Sequence, residues 1–91
     1  MDAPAGLMAG KRGLVMGVAN DRSLAYGIAR AAARHGAELA CTYQGEAFGR
    51  RAVPLCQELG SKLILSADVE DAQSLDAVFA AIAAQWGSLD F

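Results

Sequence analysis

Short, continuous apolar runs alternate along this chain with longer stretches in which apolar residues recur every three or four positions. The runs at residues 13–18, 38–43 and 62–66 are rich in Val, Leu and Ile and read as short strands. The stretches between them are alanine-rich and helical in period, so the chain reads as β-α-β-α-β-α. The first helix is expected from Ser23 to His35, with Leu24, Ile28, Ala31 and Ala32 facing inward and Gly36 as a left-handed stop. The second is expected from Glu46 to Leu59, burying Phe48, Ala52, Leu55, Cys56 and Leu59, with Gly60 as its stop. Pro54 lies inside it and is expected to distort it, even to split it in two. The third runs from Asp71 to Trp86, with Leu75, Val78, Phe79 and Ile82 on one face, Asp71 and Asp76 near its start and Gly87 after it. Leu89-Asp90-Phe91 opens what reads as a fourth strand.

Parallel strands joined by helices pack side by side, so the first three strands are expected in the order 3-2-1, with the fourth on the far side of the first. Because that fourth strand is cut off after three residues, the apolar edge Leu14-Val15-Met16 is left without a partner, an arrangement that invites pairing. The chain thus reads as the front part of a larger domain. Its 91 residues allow one small domain, with residues 1–10 as a flexible amino terminus.

Composition narrows the class. With 54% hydrophobic and 20% charged residues the chain is built to fold, and a net charge of −2 without a Lys or Arg run shows neither a nucleic-acid footprint nor a membrane-surface patch. The amino terminus carries Asp2 in place of a basic region, and its apolar stretch falls short of the roughly 7–15 residues of a signal peptide. No apolar run approaches the ~20 residues of a membrane span, so a cytoplasmic protein is expected. Cys41 and Cys56 have neither the CxxC spacing nor the neighbouring histidines of a metal site and read as buried small hydrophobes.

The chemistry concentrates after the first strand, in Gly17-Val-Ala-Asn-Asp-Arg-Ser23-Leu-Ala-Tyr-Gly27. A glycine lets the backbone leave the strand, Ser23 offers a hydroxyl beside the first free helical N–H groups, and Gly27 would let the helix lie close to the strand. A dinucleotide pyrophosphate fits such a turn. The spacing is G-x5-S-x-A-x-G and not the common G-x-G-x-x-G. After the second strand, Gln44 stands where an acidic residue usually meets the ribose hydroxyls, and no arginine follows immediately to favour a 2′-phosphate. After the third, Asp68 is placed either to accept from an adenine amino group or to serve the third helix structurally. Asp21 reads as a turn residue, Arg50 and Arg51 as solvated helix charges, and His35 as a complement to the helix dipole. Tyr26 and Tyr43 have no lysine spaced to activate them and read as packing residues. Trp86 reads as a hydrophobic plug at a helix end.

Gly17 to Gly27, Thr42-Tyr-Gln-Gly-Glu46 and Ala67-Asp-Val-Glu-Asp71 together resemble the NADH-dependent enoyl-acyl-carrier-protein reductases of bacterial fatty-acid synthesis, divergent short-chain dehydrogenases. The resemblance spans about Gly10 to Phe91. It implies an α/β fold, the βαβαβα portion of a Rossmann-type doubly wound parallel sheet truncated at its fourth strand, so that residues 1–91 form an incomplete NAD-binding domain. By the same resemblance Gly17, Ala19, Ser23 and Leu24 surround the pyrophosphate and neighbouring ribose, Gln44 meets the adenosine side, and Asp68 with Val69 the adenine. NADH is the implied cofactor, a trans-2-enoyl thioester of acyl-carrier protein the implied substrate, and a homotetramer the implied full-length assembly. The family's catalytic Tyr-x6-Lys pair is missing from these 91 residues, so the chain alone is expected to be inactive. Two other readings remain open: a non-catalytic nucleotide-binding or interaction module, and a fragment of another short-chain dehydrogenase such as a ketoacyl reductase, which Gln44 and the displaced glycines oppose.

Overall fold

A computed structural model describes residues 6–91. It contains β1 (Arg12–Val15), α1 (Leu24–Arg34), β2 (Glu38–Tyr43), α2 (Glu46–Glu58), β3 (Leu63–Ser66) and α3 (Ala72–Gln85). The strands form one parallel sheet with β2 in the middle, pairing Leu14 with Ala40 on one side and Cys41 with Ile64 on the other. Alternate side chains of the sheet feed two cores. Val15, Leu39 and Cys41 meet Ala29 and Ala32 of α1 and Ala52 and Cys56 of α2, whereas Ala40, Leu14 and Leu65 meet Val78 and Ile82 of α3. Helices therefore cover both faces, which is why β2 is apolar on its two sides.

Local sequence accounts for the helix ends. Ser23 caps α1 and Asp71 caps α3, each accepting a backbone N–H of the first turn, and Gly36 leaves α1 at φ +96°. Pro54 does not split α2, which runs unbroken from Glu46 to Glu58. Pro54 and Arg50, whose carbonyl it deprives of a donor, both lie on the exposed side, where solvent is at hand to take the place of the lost bond.

The expected inward faces need correction. In α1, Leu24, Ile28 and Ala31 are exposed, and the buried stripe is Ala29 and Ala32 with Ala25 and Ala33 packed beside them. Gly27 is exposed too, and a Cβ there would meet nothing within 4 Å, so it is not the point of close helix–strand approach. The two candidate stripes of α1 are both apolar, and the smaller one lies on the sheet because alanines allow a close approach. Phe48 and Phe79, expected inside, are half exposed. Gly49 is buried instead, because the Tyr43 ring lies where its Cβ would project, 2.6 Å from the nearest ring carbon.

Residues 1–5 of the expected flexible terminus, Asp2 among them, lie outside the described residues. Residues 7–10 form a turn that docks on the end of α1, where the Met8 N–H donates to the His35 carbonyl at 2.8 Å. At the other end residues 89–91 form no strand, but they begin to pair with the free edge of β1: Asp90 N–H donates to the Arg12 carbonyl at 2.8 Å and Leu14 N–H to the Phe91 carbonyl at 3.0 Å.

Candidate functional site

The parallel strands end at Val15, Tyr43 and Ser66, so the connections that follow them share the carboxyl edge of the sheet, the usual ligand edge of open α/β folds. Gly17 adopts φ +82°, a region costly for any residue with a Cβ. A Cβ on Gly17 would meet nothing within 4 Å, so the glycine serves the turn's conformation and leaves open space beside it. Its N–H points back into the sheet, donating to the Thr42 carbonyl at 3.1 Å and toward the Thr42 hydroxyl at 3.3 Å. Val18, buried, donates to the same carbonyl at 2.9 Å.

The rest of the turn closes on Ser23. Its hydroxyl donates to the Asn20 carbonyl at 2.9 Å and accepts from Tyr26 N–H at 3.2 Å, with Ala19 N–H a long 3.5 Å away. Capping thus uses the Tyr26 N–H, while the N–H groups of Leu24 and Ala25 come before the first i−4 bond, made by Gly27 to Ser23. Two donors and the positive end of the α1 dipole are therefore available to an anion at this edge. The Leu24 side chain stands beside them, 81% exposed.

Across the edge, Gln44 and Asp68 are brought together: the Gln44 amide donates to Asp68 Oδ1 at 3.4 Å. Asp68 has a structural task as well, since the same oxygen accepts Glu70 N–H at 2.9 Å and its own N–H donates to Ser74 Oγ at 2.9 Å. Capping of α3 belongs to Asp71, which accepts from Gln73 N–H at 3.0 Å. Val69 follows with 59% of its surface exposed. All seven predicted residues, Gly17, Ala19, Ser23, Leu24, Gln44, Asp68 and Val69, thus occur in or beside the three carboxyl-edge connections.

Other singled-out residues lie elsewhere. Asp21, Arg50 and Arg51 are exposed, and Tyr26 and Tyr43 pack partly buried against the first core. His35 caps the end of α1 through its backbone, and Trp86 does the same for α3 while its ring lies 5.7 Å from the Arg12 guanidinium. Cys41 and Cys56 are free thiols, both inaccessible. The Cys56 thiol hydrogen-bonds Cys41 and draws its pKa down against the opposing effect of burial, with Ser61 helping. Cys56 is pushed up by the same partner and by burial.

Three polar residues were assigned no role from the sequence. Thr42 is buried beneath the turn, Ser74 receives Asp68, and buried Ser61 donates to the Leu39 carbonyl at 2.8 Å. Thr42 did carry a signal, as the one hydroxyl in an otherwise apolar run, Leu39-Ala-Cys-Thr42.

A parallel sheet with helices on both faces, a glycine turn feeding a serine-capped helix, and polar residues gathered at the carboxyl edge define a Rossmann-class α/β protein. Residues 17–91 match the family model described as enoyl-(acyl carrier protein) reductase, and the chain belongs to that family. It is 60% identical over 86 residues to the enoyl-[acyl-carrier-protein] reductase [NADH] 2 of Rhizobium meliloti, covering 94% of this chain and 32% of that protein. The enoyl-[acyl-carrier-protein] reductase [NADH] 1 of the same organism is 53% identical over 91 residues, covering 100% of this chain and 34% of the relative. The crystal structure of the Anaplasma phagocytophilum enoyl reductase in complex with NAD superposes with a TM-score of 0.89 at 53% identity, over 94% of this chain and 33% of that one. The chain spans about a third of the length of the curated relatives it matches. Among the described residues no helix is long and apolar enough to cross a membrane.

Proposed function

We propose that this chain carries the NADH-binding part of an enoyl-acyl-carrier-protein reductase, whose whole protein reduces the carbon–carbon double bond of a trans-2-enoyl thioester held on acyl-carrier protein. The observation that carries the reading is the carboxyl edge itself: the Gly17 turn, two N–H groups at the start of α1 without a partner among the described residues, and the Gln44–Asp68 pair. The open space beside Gly17 fits the approach of a pyrophosphate, and the α1 terminus fits its charge. Gly17, Ala19, Ser23 and Leu24 hold the pyrophosphate and its nearer ribose. Gln44 faces the adenosine, and Asp68 and Val69 the adenine. Bound NADH supplies the hydride for the reduction; these residues bind and orient it.

Catalysis needs more than this segment. Neither tyrosine has a lysine seven positions on, Ala33 and Arg50 standing there instead, so these 91 residues bind the cofactor without reducing the enoyl thioester. The whole protein works as a cytoplasmic homotetramer. Titrating the chain with NADH and with NADPH, followed by amide NMR, tests the binding reading. NADH-dependent shifts at Gly17, Ser23, Gln44 and Asp68, smaller effects of NADPH and no turnover of a trans-2-enoyl thioester are expected. Shifts absent from all four residues at millimolar NADH would sink the assignment.

A further inference from the structure

We propose that Thr42 is a positioning residue for the cofactor turn, its hydroxyl aiming the Gly17 N–H into the sheet. This rests on the NADH reading above. Thr42 is only 2% exposed, in a stretch of β2 whose other buried members, Leu39, Ala40 and Cys41, are apolar. Valine has nearly the same shape, so packing alone gives no reason for a hydroxyl there. The hydroxyl has a specific use: the Gly17 N–H lies 3.1 Å from the Thr42 carbonyl and 3.3 Å from Thr42 Oγ1, a three-centre bond, whereas the Val18 N–H reaches the carbonyl alone at 2.9 Å.

Two consequences follow for the site. With its N–H turned toward Thr42, Gly17 offers the pyrophosphate space but no donor, and the anion falls to the Leu24 and Ala25 N–H groups at the start of α1. The next residue, Tyr43, accepts the Ala67 N–H at 2.8 Å, which anchors the connection that carries Asp68. The end of β2 therefore holds both flanking connections, and Thr42-Tyr43 sets the separation between the pyrophosphate end and the adenine end of the cofactor.

The test is amide hydrogen exchange in the whole 91-residue chain, with Thr42→Val removing the hydroxyl and Thr42→Ser keeping it. Without ligand, Thr42→Val is expected to speed Gly17 exchange about fivefold, the worth of one modest hydrogen bond, and to leave Val18 within about twofold. NADH affinity should weaken by a similar factor, and Thr42→Ser should restore both. Unchanged Gly17 exchange in folded Thr42→Val overturns the proposal, as does a folded Thr42→Ser that loses Gly17 protection. If the valine variant does not fold, the serine variant decides alone. A wild-type chain that shows no NADH binding would strike the functional reading instead, and the exchange of Gly17 would still decide the role of Thr42.

Discussion

The two ends of the sheet are held in opposite ways. At the amino end, side chains close the structure on itself: Arg12 pairs with Glu38 at 3.4 Å, donates to the Trp86 carbonyl at 3.2 Å and lies over the Trp86 ring, and its backbone N–H donates to the Asp90 carboxylate at 2.9 Å. Ser61 adds a buried bridge to the carbonyls of Leu39 and Leu63. At the carboxyl end the connections are held mainly through backbone groups and short hydroxyl side chains, while Leu24, Gln44 and Val69 point outward. Polar groups at one end satisfy one another, and the other end keeps donors and side chains free for a ligand. Fold and site can share so small a chain because stability and binding draw on different ends of the same strands.

Substitutions can break that division, and the largest effect is expected where conformation and ligand space coincide. Gly17→Val places a β-branched residue at φ +82° and should cost about 2 kcal/mol in a denaturant melt and abolish NADH binding in a titration. Ser61→Ala removes the buried hydroxyl that donates to the Leu39 and Leu63 carbonyls at the amino end and should cost about 1 kcal/mol without changing NADH affinity; a large affinity loss in the folded variant would break the contrast. Arg12→Ala removes the ion pair and the Trp86 contacts, with a cost of about 1 kcal/mol because the pair is solvent-screened, again with NADH affinity kept. Leu24→Ser should shift stability by less than about 0.5 kcal/mol, since that side chain is 81% exposed, yet weaken NADH binding measurably by calorimetry.

Helix ends and two strand positions were legible because they depend on local chemistry: Ser23, Asp71 and Gly36 announce their boundaries and the runs at 38–43 and 62–66 announce strands, whereas the run at 13–18 overshoots β1, which ends at Val15 before the Gly17 turn. The rotation of α1 was not legible. Its Ala25-Ala29-Ala32 stripe and its Leu24-Ile28 stripe are both apolar at helical spacing, and only the closeness of the sheet decides between them. The larger stripe, with Leu14, Met16 and Phe91, lines instead an open cleft of about 460 Å³ along the free edge of β1. Five of the seven expected site residues, Gly17, Ala19, Ser23, Gln44 and Asp68, are polar, small or turn-forming, and Leu24 and Val69 each follow one of them. Thr42 was missed because its partners, the N–H groups of Gly17 and Val18, are distant in sequence, so only the folded backbone reveals what the hydroxyl does.

The sheet order β1-β2-β3 also bears on how the molecule is assembled. Each strand pairs in parallel with the next one along the chain across an intervening helix, so the sheet can grow outward from its first β-α-β crossover as the polypeptide leaves the ribosome. The exception is the tie between Arg12 and Asp90, which reaches back across 78 positions. Pairing on that side of β1 waits until everything between has been made, so the earliest strand gains its second edge after β2 has gained both of its own.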